Sequence, residues 1–115
     1  MRHGIPNEES LTVEFKSDRK KLPDRDLVAA VVCLANSEGG EIYLGVEKDG
    51  TPTGLHPEHQ NLTGLSALIA NRTNPPLSVR VETIKFNDKI IARILVSKEI
   101  GIDFRGTAPE KAVDG

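Results

Sequence analysis

The 115-residue sequence has no tryptophan, one tyrosine, three phenylalanines, one methionine and one cysteine. A lone cysteine, Cys33, excludes an intrachain disulfide framework and any multi-cysteine metal site. It sits inside an apolar run and reads as a small core residue. The aromatics Phe15, Tyr43, Phe86 and Phe104 are too few for an extended base-stacking platform, and Tyr43 is the single candidate for an exposed sheet face. No stretch approaches the ~20 apolar residues of a membrane span, and no signal segment opens the sequence. The expectation is therefore no membrane and a cytoplasmic setting, with Asn61-Leu62-Thr63 and Asn71-Arg72-Thr73 as chance matches to the glycosylation pattern. Charge of one sign is also missing. Fifteen Lys and Arg face seventeen Asp and Glu, and a net charge of −2 argues against a protein that clings to phosphate over its whole surface.

What is present is local. Lys16, Arg19, Lys20, Lys21 and Arg25 crowd one short stretch, opposed inside it only by Asp18 and Asp24. Local field matters more than net charge for a polyanion, so this run is a candidate nucleic-acid footprint, and a solvated lysine-rich loop is the plain alternative.

Hydrophobic periodicity organises the rest. "LTVEFK" alternates as a half-buried strand with Val13 and Phe15 on its core side and Glu14 and Lys16 opposite. After Pro23, Asp24 is a fair helix N-cap, and Leu27, Ala30, Val31, Leu34 and Ala35 form one helical face. That helix is expected to end near Ser37, with Gly39 or Gly40 in the left-handed cap position. "EIYLGVE" alternates again, placing Ile42, Leu44 and Val46 on the core side and Glu41, Tyr43, Gly45 and Glu47 opposite. "KDGT" is a tight turn and "PTGL" a short return strand. A second helix is expected through "EHQNLTGLSALIANRT", with His56 and His59 at its exposed start and no third metal ligand near them in sequence. His3 falls in the N-terminal stretch. "SVRVETIKF" and "KIIARILV" flank Asn87-Asp88 as a hairpin whose partners sum to 175 in residue number, so that Glu82 faces Arg93 while Val81 and Ile94 enter the core. The order predicts an α/β (α+β) two-layer sandwich, a mixed sheet with two helices packed on one face. Residues 1–97 read as the domain, and 98–115, which show neither period, as a loosely ordered tail.

Glycine spacing around "NSEGGEIYLG" fits neither a phosphate loop nor a dinucleotide fingerprint, because the required lysine and glycine positions are absent. A helix cap and a tight strand entry explain Gly39-Gly40.

The blocks "ESLTVEFK" and "LANSEGGEIYLGVEKDG", followed by an apolar hairpin, resemble the AlbA-like Schlafen domain over roughly residues 8 to 97. The resemblance implies a fold like that of the archaeal chromatin protein Alba, and a DNA-binding, nucleic-acid-binding module of the kind that opens longer bacterial and archaeal transcription regulators. It implies nucleic acid (DNA or RNA) as partner and marks Asn36, Gly39, Gly40 and Tyr43 as the border of the site, beside Lys16, Arg19, Lys20, Lys21 and Arg25. A homo-oligomer is a further expectation. Related animal Schlafen domains cut structured RNA with three acids and a divalent metal. By resemblance those acids fall on Glu9, Glu14 and Glu47, the last where aspartate is common, with Mg²⁺ or Mn²⁺ as cofactor if the chain is a nuclease. Strand parity puts Glu14 and Glu47 together on the face away from the helices, and Glu9 joins them only if the chain bends near Ser10. The alternatives are a metal-dependent endoribonuclease using these three carboxylates, or a protein-interaction and dimerisation module without nucleic-acid contact. On the bland reading the glutamates are solvated on an exposed sheet, with Glu14 paired to Lys16 or to a lysine of another strand.

Overall fold

A computed structural model describes residues 4–105. Strands β1 (Val13–Lys16), β2 (Gly40–Leu44), β5 (Lys89–Val96) and β4 (Arg80–Phe86) lie side by side in that order as one mixed sheet. Helices α1 (Asp24–Ala35) and α2 (Leu62–Asn71) pack on one face of it, and β3 (Thr73–Asn74) pairs with β6 (Asp103–Phe104) in a small second sheet. The expected α+β sandwich is the observed architecture.

The helix-side core joins Leu27, Val31 and Leu34 of α1 and Leu65 and Ile69 of α2 to Ile42, Leu44, Ala92, Ile94 and Val96 of the sheet. Pro23, not Asp24, takes the cap position of α1. Its carbonyl accepts the N–H groups of Asp26 and Leu27, and Asp24 and Asp26 fall in the first turn, where the helix dipole favours acids. The helix stops at Ala35. Gly39, at φ +75°, donates its N–H to the Leu34 carbonyl, and a side chain there would strike the Lys98 and Val96 backbone. Cys33 falls one position off the buried stripe and is exposed, a correction to its core reading. The second helix is shorter than its periodicity suggests. A 3₁₀ turn, Pro57–His59, precedes it, and the Asn61 side chain caps it by accepting the Gly64 N–H at 3.2 Å.

The hairpin register is the expected one. Asn87, at φ +57°, takes the turn, and the pairs run from Phe86↔Lys89 to Arg80↔Leu95. Glu82 and Arg93 are joined at 2.7 Å, a cross-strand ion pair worth ~0.2–1 kcal/mol.

Two faces were assigned differently from sequence. In β1 the parallel register aligns Glu14 with Ile42 and Phe15 with Tyr43. Neighbours across a ladder share a face, so Glu14 and Lys16 lie on the helix side, while Phe15 joins a second apolar cluster of Ile5, Tyr43, Val46 and Ile91 on the other. The sheet is apolar on both faces, so alternation alone could not say which side meets the helices. In β2 the alternation breaks at Gly45, φ +103°, where the chain passes close to Gly54. The strand ends there, and Val46 turns to the cluster of Tyr43 instead of that of Leu44.

The start of the supposed loose tail is packed. Ile102 is buried, and the Asn36 side chain accepts the N–H groups of Gly101 and Ile102 and donates to the Ile102 carbonyl. Residues 98–105 are thereby tied to the end of α1; 106–115, like His3, lie outside the described residues.

Candidate functional site

The basic run leaves β1 as a loop and enters α1. Arg19, Lys20, Lys21 and Arg25 are exposed, and Lys16 is half-buried in an ion pair with Glu14 at 3.4 Å. Lys21 stands 3.8 Å from Glu58. Among the described residues Arg19, Lys20 and Arg25 are in no ion pair.

Asp18 holds this loop in place. Its side chain is fully buried, and its carboxylate accepts the N–H groups of Leu22 and His56 at 2.8 Å each. His59 Nδ1 lies 2.9 and 2.8 Å from its two oxygens. A carboxylate only accepts, so Nδ1 carries the proton of that contact. His59 is therefore not an exposed residue at a helix start. It is 5% exposed, and it fastens the segment before α2 beneath the basic loop. The long lysine and arginine side chains project from a backbone whose curvature is fixed from below. Periodicity gives no signal for this pair. An isolated aspartate inside a run of cations, with a histidine ahead of an apolar helix, was the available hint.

The three acids have separate partners. The chain turns back at Ser10, which bridges to Val13, and this brings Glu9 alongside the free edge of β1, where its carboxylate accepts the Phe15 N–H at 2.9 Å. Glu9 thus closes part of an exposed strand edge. Glu14 faces the helix side and, with Lys16, lines a groove of about 650 Å³ between β1 and α1 that also includes Leu22, Ala30 and Cys33. Glu47 accepts from the Ser17 hydroxyl at 2.8 Å and the Thr53 hydroxyl at 2.5 Å. Among the described residues no three His, Cys, Asp or Glu side chains are grouped so as to hold a metal ion, and this arrangement does not fit a Mg²⁺ or Mn²⁺ centre.

The proposed border residues divide. Asn36, Gly39 and Gly40 serve the junction of α1, β2 and residues 101–102; a side chain on Gly40 would collide with the Thr12 backbone. Tyr43 is 1% exposed, packed edge-on against Phe15 at 6.1 Å between ring centroids, so it offers no stacking surface to a base. Its hydroxyl donates to Glu41 at 2.6 Å, and Arg93 bridges Glu41 at 2.6 Å to Glu82.

This network sets a pH window. Burial alone would raise the Glu41 pKa, but the hydrogen bonds from Tyr43 and Arg93 and the Arg93 charge outweigh it and hold it below the ordinary value. Burial, then the bond to Glu41 and its charge, push Tyr43 up to about 12. A depressed carboxylate stabilises the fold above its unfolded pKa and loses that contribution as pH falls through its folded value. A raised phenol stabilises below its unfolded value of 10.0 and loses its contribution as pH rises toward about 12. Urea unfolding across pH is expected to show both limbs. Glu41→Gln should flatten the acid limb and Tyr43→Phe the alkaline one; limbs unchanged in these variants would contradict the assignment.

No helix among the described residues is long and apolar enough to cross a membrane. Among curated proteins no sequence matches the chain. Solved structures do. The N-terminal domain of a RecG-related protein from Nitrosomonas europaea, determined by solution NMR, shares 19% identity with a TM-score of 0.68, over 93% of this chain and 81% of that one. The DIP2311 protein from Corynebacterium diphtheriae shares 21% identity with a TM-score of 0.65, over 77% of this chain. The match spans only 20% of the length of the C. diphtheriae protein. At these identities the likeness is one of fold. The sequence itself matches the family model described as Schlafen, AlbA_2 over residues 9–111, nearly its whole length, and the chain belongs to that family.

Proposed function

We propose that this chain is a nucleic-acid-binding module, a DNA-binding domain of a transcription regulator, that grips the phosphate backbone with the loop from Lys16 to Arg25. The observation that carries the reading is the exposed group Arg19, Lys20 and Arg25, in no ion pair among the described residues, on a loop pinned by the buried Asp18–His59 contact. Pre-fixed backbone lowers the ordering cost of binding. Family membership supports the same reading, as does the likeness in fold to a domain whose parent protein is described as related to a DNA helicase. With Tyr43 buried, contact runs through charge and not through stacked bases. In this reading the module is one part of a longer protein, which a match spanning 20% of the C. diphtheriae chain supports.

Gel retention of labelled duplex DNA and of structured RNA, with Mn²⁺ or with chelator, tests this. Retention of intact probe, falling steeply as salt rises, is the expected result. Absence of retention for both probes at low salt would remove the reading. Cleavage that requires Mn²⁺ would replace it with a nuclease.

A further inference from the structure

The sheet brings a second group of cations to the same end of the molecule as the basic loop. β1 runs parallel to β2, and β4 returns to that direction through two antiparallel steps across β5. The C-terminal ends of β1, β2 and β4 therefore emerge together. They carry the basic loop, the connection after Leu44 and the Asn87-Asp88 turn. Lys48 is exposed on the second of these, and Lys85 and Lys89 flank the third.

The three loops are joined by direct contacts. Ser17 of the basic loop and Thr53 both donate to Glu47, and the Leu55 N–H donates to the Ile90 carbonyl at 2.8 Å, next to Lys89. Among the described residues Lys48, Lys85 and Lys89 are in no ion pair. The acids at this end are mostly engaged. Asp18 is buried under His59, Glu47 is held by two hydroxyls, Asp49 accepts the Thr51 N–H, Glu58 pairs with Lys21, and Asp24 and Asp26 sit in the first turn of α1. Asp88 is exposed at the hairpin tip, where it lines a hollow of about 160 Å³ with Lys85 and Lys89.

We infer that Lys48, Lys85 and Lys89 continue the surface of the basic loop, so that one nucleic-acid backbone is held along the whole end of the sheet. This rests on the binding reading and extends its contact from one loop to three. From β1 to β4 is three strand spacings, about 14 Å at ~4.8 Å each. That length corresponds to roughly four base steps of ~3.4 Å, within reach of a single backbone segment. The recognised chemistry is the phosphodiester, and DNA and RNA probes distinguish its source.

The test is Lys48→Gln/Lys85→Gln/Lys89→Gln, measured by fluorescence anisotropy with a short labelled DNA duplex and an RNA hairpin across a salt series. Each lost phosphate contact removes ~0.9 from the slope of log affinity on log salt for duplex DNA, so the triple variant should be shallower by about 2–3. Asp88→Asn should tighten binding, and Lys98→Gln, at the other end of β5, should leave it unchanged. An effect confined to one probe supports the surface for that nucleic acid. The single variants, each expected to remove ~0.9, replace the triple if its unfolding midpoint falls. A wild-type slope in the lysine variants, while Lys20→Glu/Lys21→Glu/Arg25→Glu loses binding, overturns this inference and leaves the binding reading standing. Wild-type protein that retains neither probe overturns both.

Discussion

Asp18→Ala is expected to lower folding stability by about 3–5 kcal/mol, because it removes a buried acceptor and strands the donors that the acceptor serves. The side chain has no exposed surface, and its two oxygens take three separate donors, the Leu22 and His56 N–H groups and His59 Nδ1. Alanine takes the acceptor from all three, the His59 contact being buried and the Leu22 and His56 bonds part-buried, and a donor orphaned in a buried position carries a desolvation penalty of ~1–3 kcal/mol. Urea unfolding monitored by circular dichroism gives the value directly. A loss below about 1 kcal/mol would mean that the loop is not held by this residue. His59→Ala should cost less than the sum of its parts in combination with Asp18→Ala, since the two side chains share one contact, and a double-mutant cycle measures that coupling. The nucleic-acid affinity of a folded Asp18 variant should also fall, because the loop then pays its own ordering entropy on binding.

Lys20→Glu/Lys21→Glu/Arg25→Glu is expected to weaken binding of both DNA and RNA by on the order of 100-fold or more at ~0.15 M salt, where three released counterions per complex account for most of that factor. The substituted side chains are exposed and take no part in either apolar cluster, so the unfolding midpoint should stay near that of the wild type. Lys21→Glu also places a carboxylate near Glu58, which adds local repulsion without touching the core. Binding unchanged by these substitutions would remove the loop from the interface.

Several features were legible in the sequence because they follow from short-range rules. The alternating runs of β4 and β5 around Asn87-Asp88 fixed register and face together, since a two-residue turn leaves a single pairing and a one-residue slip would expose Val81 and Ile94. The apolar stripe of α1, the glycine stop after it and the basic run were equally local. Family blocks were readable for the same reason, as contiguous residues. Resemblance could name Glu9, Glu14 and Glu47, but it could not say what each carboxylate touches here.

Only the tertiary structure decided which face of β1 meets the helices. Apolar residues cover both sides of the sheet, and the choice was made by the alignment of Glu14 with Ile42 across the parallel ladder. It also decided the fate of Tyr43, whose exposure depends on Ile5 and Phe15 arriving from elsewhere in the chain to cover it. The partnership of Asp18 with His59 and the gathering of Lys48, Lys85 and Lys89 beside the basic loop are likewise long-range. Periodicity reports the surroundings of a residue a few positions either way. Burial of a lone acid, or convergence of three loops at one end of a sheet, depends on strand order and on contacts between residues far apart in sequence, which only the folded chain establishes.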